Sequence, residues 1–333
     1  MYLSFYGLQK QPFHVTPDPE FLYFSPSHKD AMSAITHGIE EKKGFIAITG
    51  NVGAGKTTIL RSYLDATKSE PLKIVYVFNA RLTFEELLKT IYRELGRRVE
   101  GNSVMGMVNR LYEFLIEESR QGNTVVLIID EAQNMPVDTL ENLRMMSNCE
   151  TSKEKLIQIV LVGQPEFKKA LDTDGLRQLR QRLAVHATIR PLSRAESLEY
   201  LRFRLRHAGT DPASVFTTPA LKKIVRKSKG IPRVLNVLCD NALITGFGRQ
   251  QKPVTKKIAK EIIRMFKGRP HYLQTGLRLA AALAPVLSAF GITSFLRKDR
   301  VPPIKNASLY KEPTVVEAVA AVDEVSAAAR TPS

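Results

Sequence analysis

Tryptophan is absent from the 333 residues, and there are only two cysteines and six histidines. Cys149 and Cys239 stand far apart with no CxxC spacing. This excludes a disulfide scaffold and a structural zinc module, and a reducing compartment is expected. No HxxxH pair occurs, so a histidine metal site has no support. The opening MYLSFYGLQKQPF lacks the basic start and apolar run of a secretory leader, so no cleavable signal peptide is expected.

Acidic residues are scarce in one place only. The chain carries 49 basic and 33 acidic residues, a formal net charge of +16. Residues 1–200 hold 25 of each sign, residues 201–300 hold 21 basic and 4 acidic, and residues 301–333 hold 3 basic and 4 acidic. One hundred-residue window therefore contains the whole excess. Asymmetry of this kind points to a polyanionic partner, either nucleic acid or an anionic membrane surface; the plainer reading is a solvated helical face. Hydrophobic residues make up 44% of the chain, which supplies a large core and excludes disorder over most of its length.

Residues 1–30 are rich in aromatics and proline, including Phe5, Tyr6, Phe13, Phe21, Tyr23 and Phe24. We expect an ordered, extended leading segment, since so many rings are costly to leave in water. Four short apolar runs follow: Gly44–Thr49, Ile74–Phe78, Val125–Ile129 and Ile157–Val162. Such runs, separated by helical stretches, predict buried parallel strands. Phe84, Leu87, Leu88, Ile91 and Leu95 share one helical face, and Thr83 with Glu86 forms a capping-box signature at its start. The alternation predicts an α/β core over residues 31–192. After Ile189 the strands stop. Ser193 with Glu196, Thr218 with Pro219, Pro232 and Thr255 open four helices, predicting a small all-helical lid over residues 193–268.

Gly50-Asn51-Val52-Gly53-Ala54-Gly55-Lys56-Thr57 fits GxxxxGK[ST], between the first strand and a helical pattern beginning with Thr58. Glycines let backbone N–H groups curl around phosphate oxygens, and the helix N-terminus adds a favourable dipole. Lys56 would meet the β and γ phosphates, and Thr57 would offer its hydroxyl to Mg²⁺. The third strand ends in Asp130 and Glu131. Asp130 would hold Mg²⁺, directly or through water, and Glu131 would orient and deprotonate the attacking water. Gln164 follows the fourth strand, placed for the γ-phosphate or the water, or else an ordinary loop hydrogen-bonder. Arg177, Arg180 and Arg182 precede a further strand-like stretch, and Arg182, then Arg180, is the candidate donor to a neighbouring protomer's γ-phosphate. Arg233 begins a lid helix, where a cation opposes the dipole, so a role at the nucleotide is expected.

These elements, in this order, resemble the AAA+ ATPases, and more narrowly the ExeA/GspA (general secretion pathway protein A) type. The resemblance runs from about Met1 to Gly268. It is carried by FYGL at 5–8, TPDP at 16–19, GNVGAGKTT at 50–58, IIDEAQNM at 128–135, IVLVGQPEF at 159–167, LRQLRQRL at 176–183 and GIPRVLNVLCDNAL at 230–243. It implies ATP and Mg²⁺ as cofactors, with Lys56 and Thr57 as Walker A, and Asp130 and Glu131 as Walker B. It further implies Gln164 as sensor 1, Arg233 as sensor 2, a nucleotide between core and lid near a protomer interface, and the aromatic segment close to the adenine. Longer members carry a transmembrane helix and a peptidoglycan-binding domain after the ATPase. About 65 residues follow Gly268, too few for that domain, and none is expected.

Lys256, Lys260, Arg264 and Lys267 form one helical stripe, and Lys222, Lys223, Arg226, Lys227 and Lys229 crowd another. Eighteen residues without a charge follow, Leu279–Leu296, long enough to reach across about 27 Å as a helix. Pro285, Gly291 and many alanines leave two readings, a membrane span with its N-terminal side cytoplasmic or an amphipathic helix lying at the interface or docked on the protein. A mobile tail is expected over residues 300–333. Taken together, we expect an ATP-hydrolysing AAA+ switch at the bacterial inner membrane. It would form a homo-oligomeric ring or filament and serve a secretion, pilus or exopolysaccharide export apparatus. The alternative is a regulator of the transposition type that assembles on DNA with ATP.

Overall fold

The structure, a computed structural model, describes residues 2–16, 18–78, 80–98, 103–146 and 148–266. The expectations for 279–296 and 300–333, and the last two residues of the lid expected over 193–268, lie outside the described residues. Among the described residues, no helix is long and apolar enough to cross a membrane.

The leading segment is not extended as expected. Tyr2–Tyr6 form helix α1, and Pro19–Phe21 form a single 3-10 turn. Helix α2 (Pro26–Glu40) opens with Ser25 as N-cap and proline in its first turn, and leads into strand β1 (Phe45–Gly50). Helix α3 (Lys56–Ala66) and strand β2 (Leu72–Val77) follow. Helix α4 (Phe84–Glu94) has the anticipated capping box of Thr83 and Glu86, with Phe84, Leu87, Leu88 and Ile91 buried. Helix α5 (Val104–Arg120), strand β3 (Thr124–Ile129), helix α6 (Val137–Met146), strand β4 (Ile157–Gly163), helix α7 (Pro165–Leu171), helix α8 (Arg177–Arg182) and strand β5 (Leu183–Ile189) complete the α/β part.

The five strands are parallel and ordered β2-β3-β4-β1-β5. Side chains alternate across a strand, and here both faces are buried. Phe45, Ala47, Val125, Leu127, Ile159 and Leu161 face one core with residues of α4, α5, α6 and α7. Ile46, Ile48, Val126, Ile128, Val160 and Val162 face the other with α2 and α3. That double burial explains why β1, β3 and β4 are continuous apolar runs in the sequence. β5 lies at an edge and is only half covered, so its LAVHATI run shows the pattern weakly. β2 begins earlier than expected, at Leu72, because Leu72 and Lys73 pair with Thr124 and Val125. Phe78 has already left the sheet and is 72% exposed.

The lid comprises α9 (Arg194–His207), α10 (Pro212–Val215), α11 (Thr218–Ser228), α12 (Pro232–Gly248) and α13 (Lys256–Phe266). Its core also takes in Tyr6, Leu8, Phe13 and Phe21, so the leading aromatics are buried among lid residues such as Leu201, Phe216 and Leu238. The guanidinium of Arg204 fastens this arrangement. It donates to the carbonyl of Pro12, to the Tyr200 hydroxyl at 2.7 Å, and lies 4.9 Å above the Phe21 ring. At Gly230 the chain turns with φ +77°, and Leu192 N–H donates to its carbonyl at 2.9 Å. A Cβ there would stand 1.9 Å from the Leu192 carbonyl oxygen, so only glycine fits where core and lid join.

Candidate nucleotide site

β1 ends at Gly50, and the loop returns to open α3 at Lys56. Gly55 precedes α3 and provides no side-chain cap, which leaves the first helical N–H groups for an anion. Val52, Gly53, Gly55, Lys56, Thr57 and Thr58 line a cavity closed on the other side by the lid. Lys56 is buried, and its Nζ donates to the carbonyls of Gly50 at 2.9 Å and Asn51 at 3.3 Å. Burial pushes its pKa down, against the opposing charges of Glu131, Asp130 and Glu166.

The ends of β3 and β4 supply the carboxylates and their partners. Asp130 Oδ2 accepts from Thr57 Oγ1 at 3.1 Å and from the Tyr76 hydroxyl at 3.1 Å. Its Oδ1 accepts the backbone N–H of Glu131 at 2.8 Å. A threonine hydroxyl beside a carboxylate is the hard oxygen donor set that Mg²⁺ takes, so the residues fit that ion. Glu131 sits in the left-handed region, φ +53°, a conformation that costs a non-glycine residue about 1 kcal/mol. Its Oε2 accepts from Gln164 Nε2 at 3.0 Å and from Gln133 Nε2, while Gln133 Oε1 accepts the Gln164 N–H at 2.9 Å.

The lid touches the phosphate loop directly. Arg233 N–H donates to the Gly53 carbonyl at 3.2 Å, and Arg233 lines the cavity. Gly53 has φ +74°, and a Cβ there would lie 2.6 Å from Arg233 Cβ, so glycine permits this approach. His14, Val15, Thr16, Asp18, Phe21 and Tyr23 of the leading segment line the same cavity.

Arg180 and Arg182 are not brought into the cavity. They end α8, just before β5, whereas the phosphate loop leaves the opposite end of the neighbouring β1. Leu183 pairs with Phe45 and Ile189 with Gly50, a separation of about 20 Å along the strand. Arg180 donates to Asp172 at 3.0 Å.

The residue patterns did not point to Tyr76, Gln133 or His28. The strand parity of Tyr76, shared with Ile74, directs it to the α3 face, and that alternation was the available signal. Gln133 lies on a 3-10 turn, Ala132–Asn134, with no periodic signal of its own. His28 Nε2 is 2.9 Å from the Ala54 carbonyl, and its Nδ1 is 2.6 Å from Ser25 Oγ. The ring therefore donates from Nε2 and accepts at Nδ1, holding the loop from behind.

Residues 39–171 match the AAA domain family. General secretion pathway protein A of Aeromonas hydrophila is 38% identical over 75% of this chain. The chain covers 45% of that relative, less than half its length. Among solved structures, the Aeropyrum pernix ORC1 protein in complex with DNA aligns with a TM-score of 0.56 at 18% identity, over 77% of this chain and 69% of that one. Cdc6p from Pyrobaculum aerophilum aligns at 0.55 and 17% identity, over 78% and 71%. At these identities the two structures establish the fold.

Proposed function

The chain belongs to the AAA ATPases of the ExeA/GspA (general secretion pathway protein A) type, and from that premise we propose that it hydrolyses ATP to drive movement of its lid within a bacterial export apparatus at the inner membrane. The observation that carries this reading is the hydrogen-bonded chain from Thr57 through Asp130 and Glu131 to Gln164, whose Thr57 and Glu131 line the same cavity as the phosphate loop and Arg233.

The loop N–H groups of residues 51–57 and Lys56 Nζ bind the β and γ phosphates, for which Lys56 leaves the Gly50 and Asn51 carbonyls. Thr57 and Asp130 would hold Mg²⁺, which would supply charge neutralisation on the phosphate oxygens. Glu131 takes the proton of a water whose oxygen bonds to the γ-phosphorus. The bond from that phosphorus to the β–γ bridging oxygen breaks, and ADP departs with that oxygen. Gln164 keeps Glu131 aimed and senses the γ-phosphate, and Arg233 ties the outcome to the lid.

The distance of Arg180 and Arg182 from their own cavity favours a homo-oligomer in which one of them, Arg182 first, completes the neighbour's site. Phosphate-release assays test the reading. Lys56→Ala should abolish turnover, and retained turnover would remove the site. The second reading, ATP-dependent assembly on DNA, rests on the basic residues of the lid; a duplex that raises turnover and is released by salt would favour it.

A further inference from the structure

The two basic stripes of the lid form one face. Phe216 and Val254 pair in parallel just ahead of α11 and α13, with Thr217 N–H donating to the Val254 carbonyl at 3.0 Å. Both helices therefore start together and run the same way, packed through Leu221, Ile224 and Val225 on one side and Ile258, Ile262 and Ile263 on the other. Lys227 Nζ stands 5.7 Å from the Phe266 ring, which joins the C-terminal ends of the pair.

Outward from this seam the charge is of one sign. Lys222, Arg226 and Lys229 are exposed on α11 and its cap, and Lys223 and Lys227 are half-buried beside them. Lys256, Lys257, Lys260 and Arg264 are exposed on α13. No carboxylate occurs between Asp211 and Asp240. Glu261 is the one acid on either helix, and Arg249 engages both its oxygens, at 2.7 and 2.8 Å. None of these nine cations lines the nucleotide cavity, so the charge is free of that task.

Nucleic acid and anionic lipid both offer phosphates, and the side chains of this face distinguish them. Seven of the nine cations are lysine, a point charge that suits headgroups, whereas base and phosphate readout favours the guanidinium fork. Met265 and Phe266 stand 61% and 46% exposed at the end of α13, beside Arg264 and Lys227. Apolar side chains among lysines on an amphipathic helix are suited to sinking below the headgroups of a bilayer.

We propose that the α11–α13 face of the lid docks on an anionic lipid surface, with the lysines on the phosphates and Met265 and Phe266 in the acyl boundary. The inference deepens the membrane-side placement proposed above and does not depend on ATP turnover. A lid that moves with nucleotide state would then move against the membrane.

The test is binding of the full chain, without nucleotide, to phosphatidylglycerol vesicles and to phosphatidylcholine vesicles. Wild type should bind the first more tightly than the second, and the difference should narrow as salt rises. Combining Lys222→Gln, Arg226→Gln and Lys260→Gln should lower that affinity roughly a hundredfold, about fivefold per charge, with turnover in the absence of vesicles unchanged. Met265→Ser with Phe266→Ser should weaken binding while leaving its salt dependence in place. Equal binding by wild type and the triple variant would overturn the proposal, as would equal binding to both lipids. A duplex DNA held more tightly than the vesicles at the same salt, and lost in the triple variant, would reassign the face to nucleic acid. Loss of turnover in Lys56→Ala leaves all these outcomes readable, so the two proposals fail separately.

Discussion

Gln164 Nε2 donates to Glu131 Oε2 at 3.0 Å, linking the ends of two neighbouring strands. Burial alone would raise the Glu131 carboxyl, but the amides of Gln164 and Gln133 and the charge of Lys56 outweigh it and hold the group below the usual carboxylate range. Glu131 is thereby kept ionised and aimed at neutral pH. Glu131→Gln should bind ATP as wild type does and lose about 10²–10⁴-fold in turnover, measured by phosphate release. Gln164→Ala removes one donor to the carboxylate, so the acid limb of its kcat–pH profile should move to higher pH. An unmoved limb would separate Gln164 from Glu131.

Tyr76 shares Asp130 Oδ2 with Thr57. Burial, then the charge of Asp130, pushes its phenol far above the ordinary range, so the hydroxyl remains a donor at every working pH. It holds the carboxylate by a donor separate from the Thr57 hydroxyl. Tyr76→Phe keeps the ring against Phe78 and deletes only that donor. The Mg²⁺ concentration for half-maximal turnover should rise about tenfold, with nucleotide affinity measured in EDTA unchanged. A parallel loss in EDTA would indicate a packing role instead.

Gly230 lies where core and lid join, and Arg233 lines the cavity from the lid. Gly230→Ala places a methyl group against the Leu192 carbonyl and a φ of +77° on an L-residue, so thermal unfolding should show a loss of at least ~3 kcal/mol. Arg233 is exposed, and its backbone contact to Gly53 survives truncation. Arg233→Ala should leave the melting temperature in place and weaken ATP about tenfold, as loss of one charged hydrogen bond to phosphate would.

The α/β core was legible because β1, β3 and β4 are buried on both faces and must be continuously apolar. The phosphate loop and the Asp130-Glu131 pair were legible because their chemistry fixes residue type and spacing together. The leading segment departs from the extended form because aromatic content predicts burial without specifying backbone, and the burial partners lie about 200 residues away in the lid. Tyr76 and Gln133 carry no local sequence signal of their place in the site, because each contacts a neighbour's carboxylate and nothing local marks which strand ends will meet.

His28 hydrogen-bonds the phosphate loop at the Ala54 carbonyl. Burial is the main cause that lowers its pKa below the ordinary value near 6.5, with the Ala54 carbonyl and Glu196 acting in the opposite direction. The folded protein therefore prefers the neutral ring, whose Nδ1 accepts from Ser25 while Nε2 donates to Ala54. For a histidine with a depressed folded pKa, the unfolded chain binds the proton first. Its stabilising contribution is then complete above about pH 6.5 and is lost as pH falls through the lower folded value. A protonated ring would place a second N–H at Nδ1, where Ser25 now donates, and would carry its charge in a buried position. His28→Gln offers an uncharged donor to the Ala54 carbonyl and cannot titrate. Nucleotide affinity of wild type should therefore fall as pH drops below about 6.5, and that of His28→Gln should stay flatter over the same range. Identical pH profiles for the two proteins would assign the acid sensitivity to other groups, of which His186, also depressed by burial, is the next to substitute.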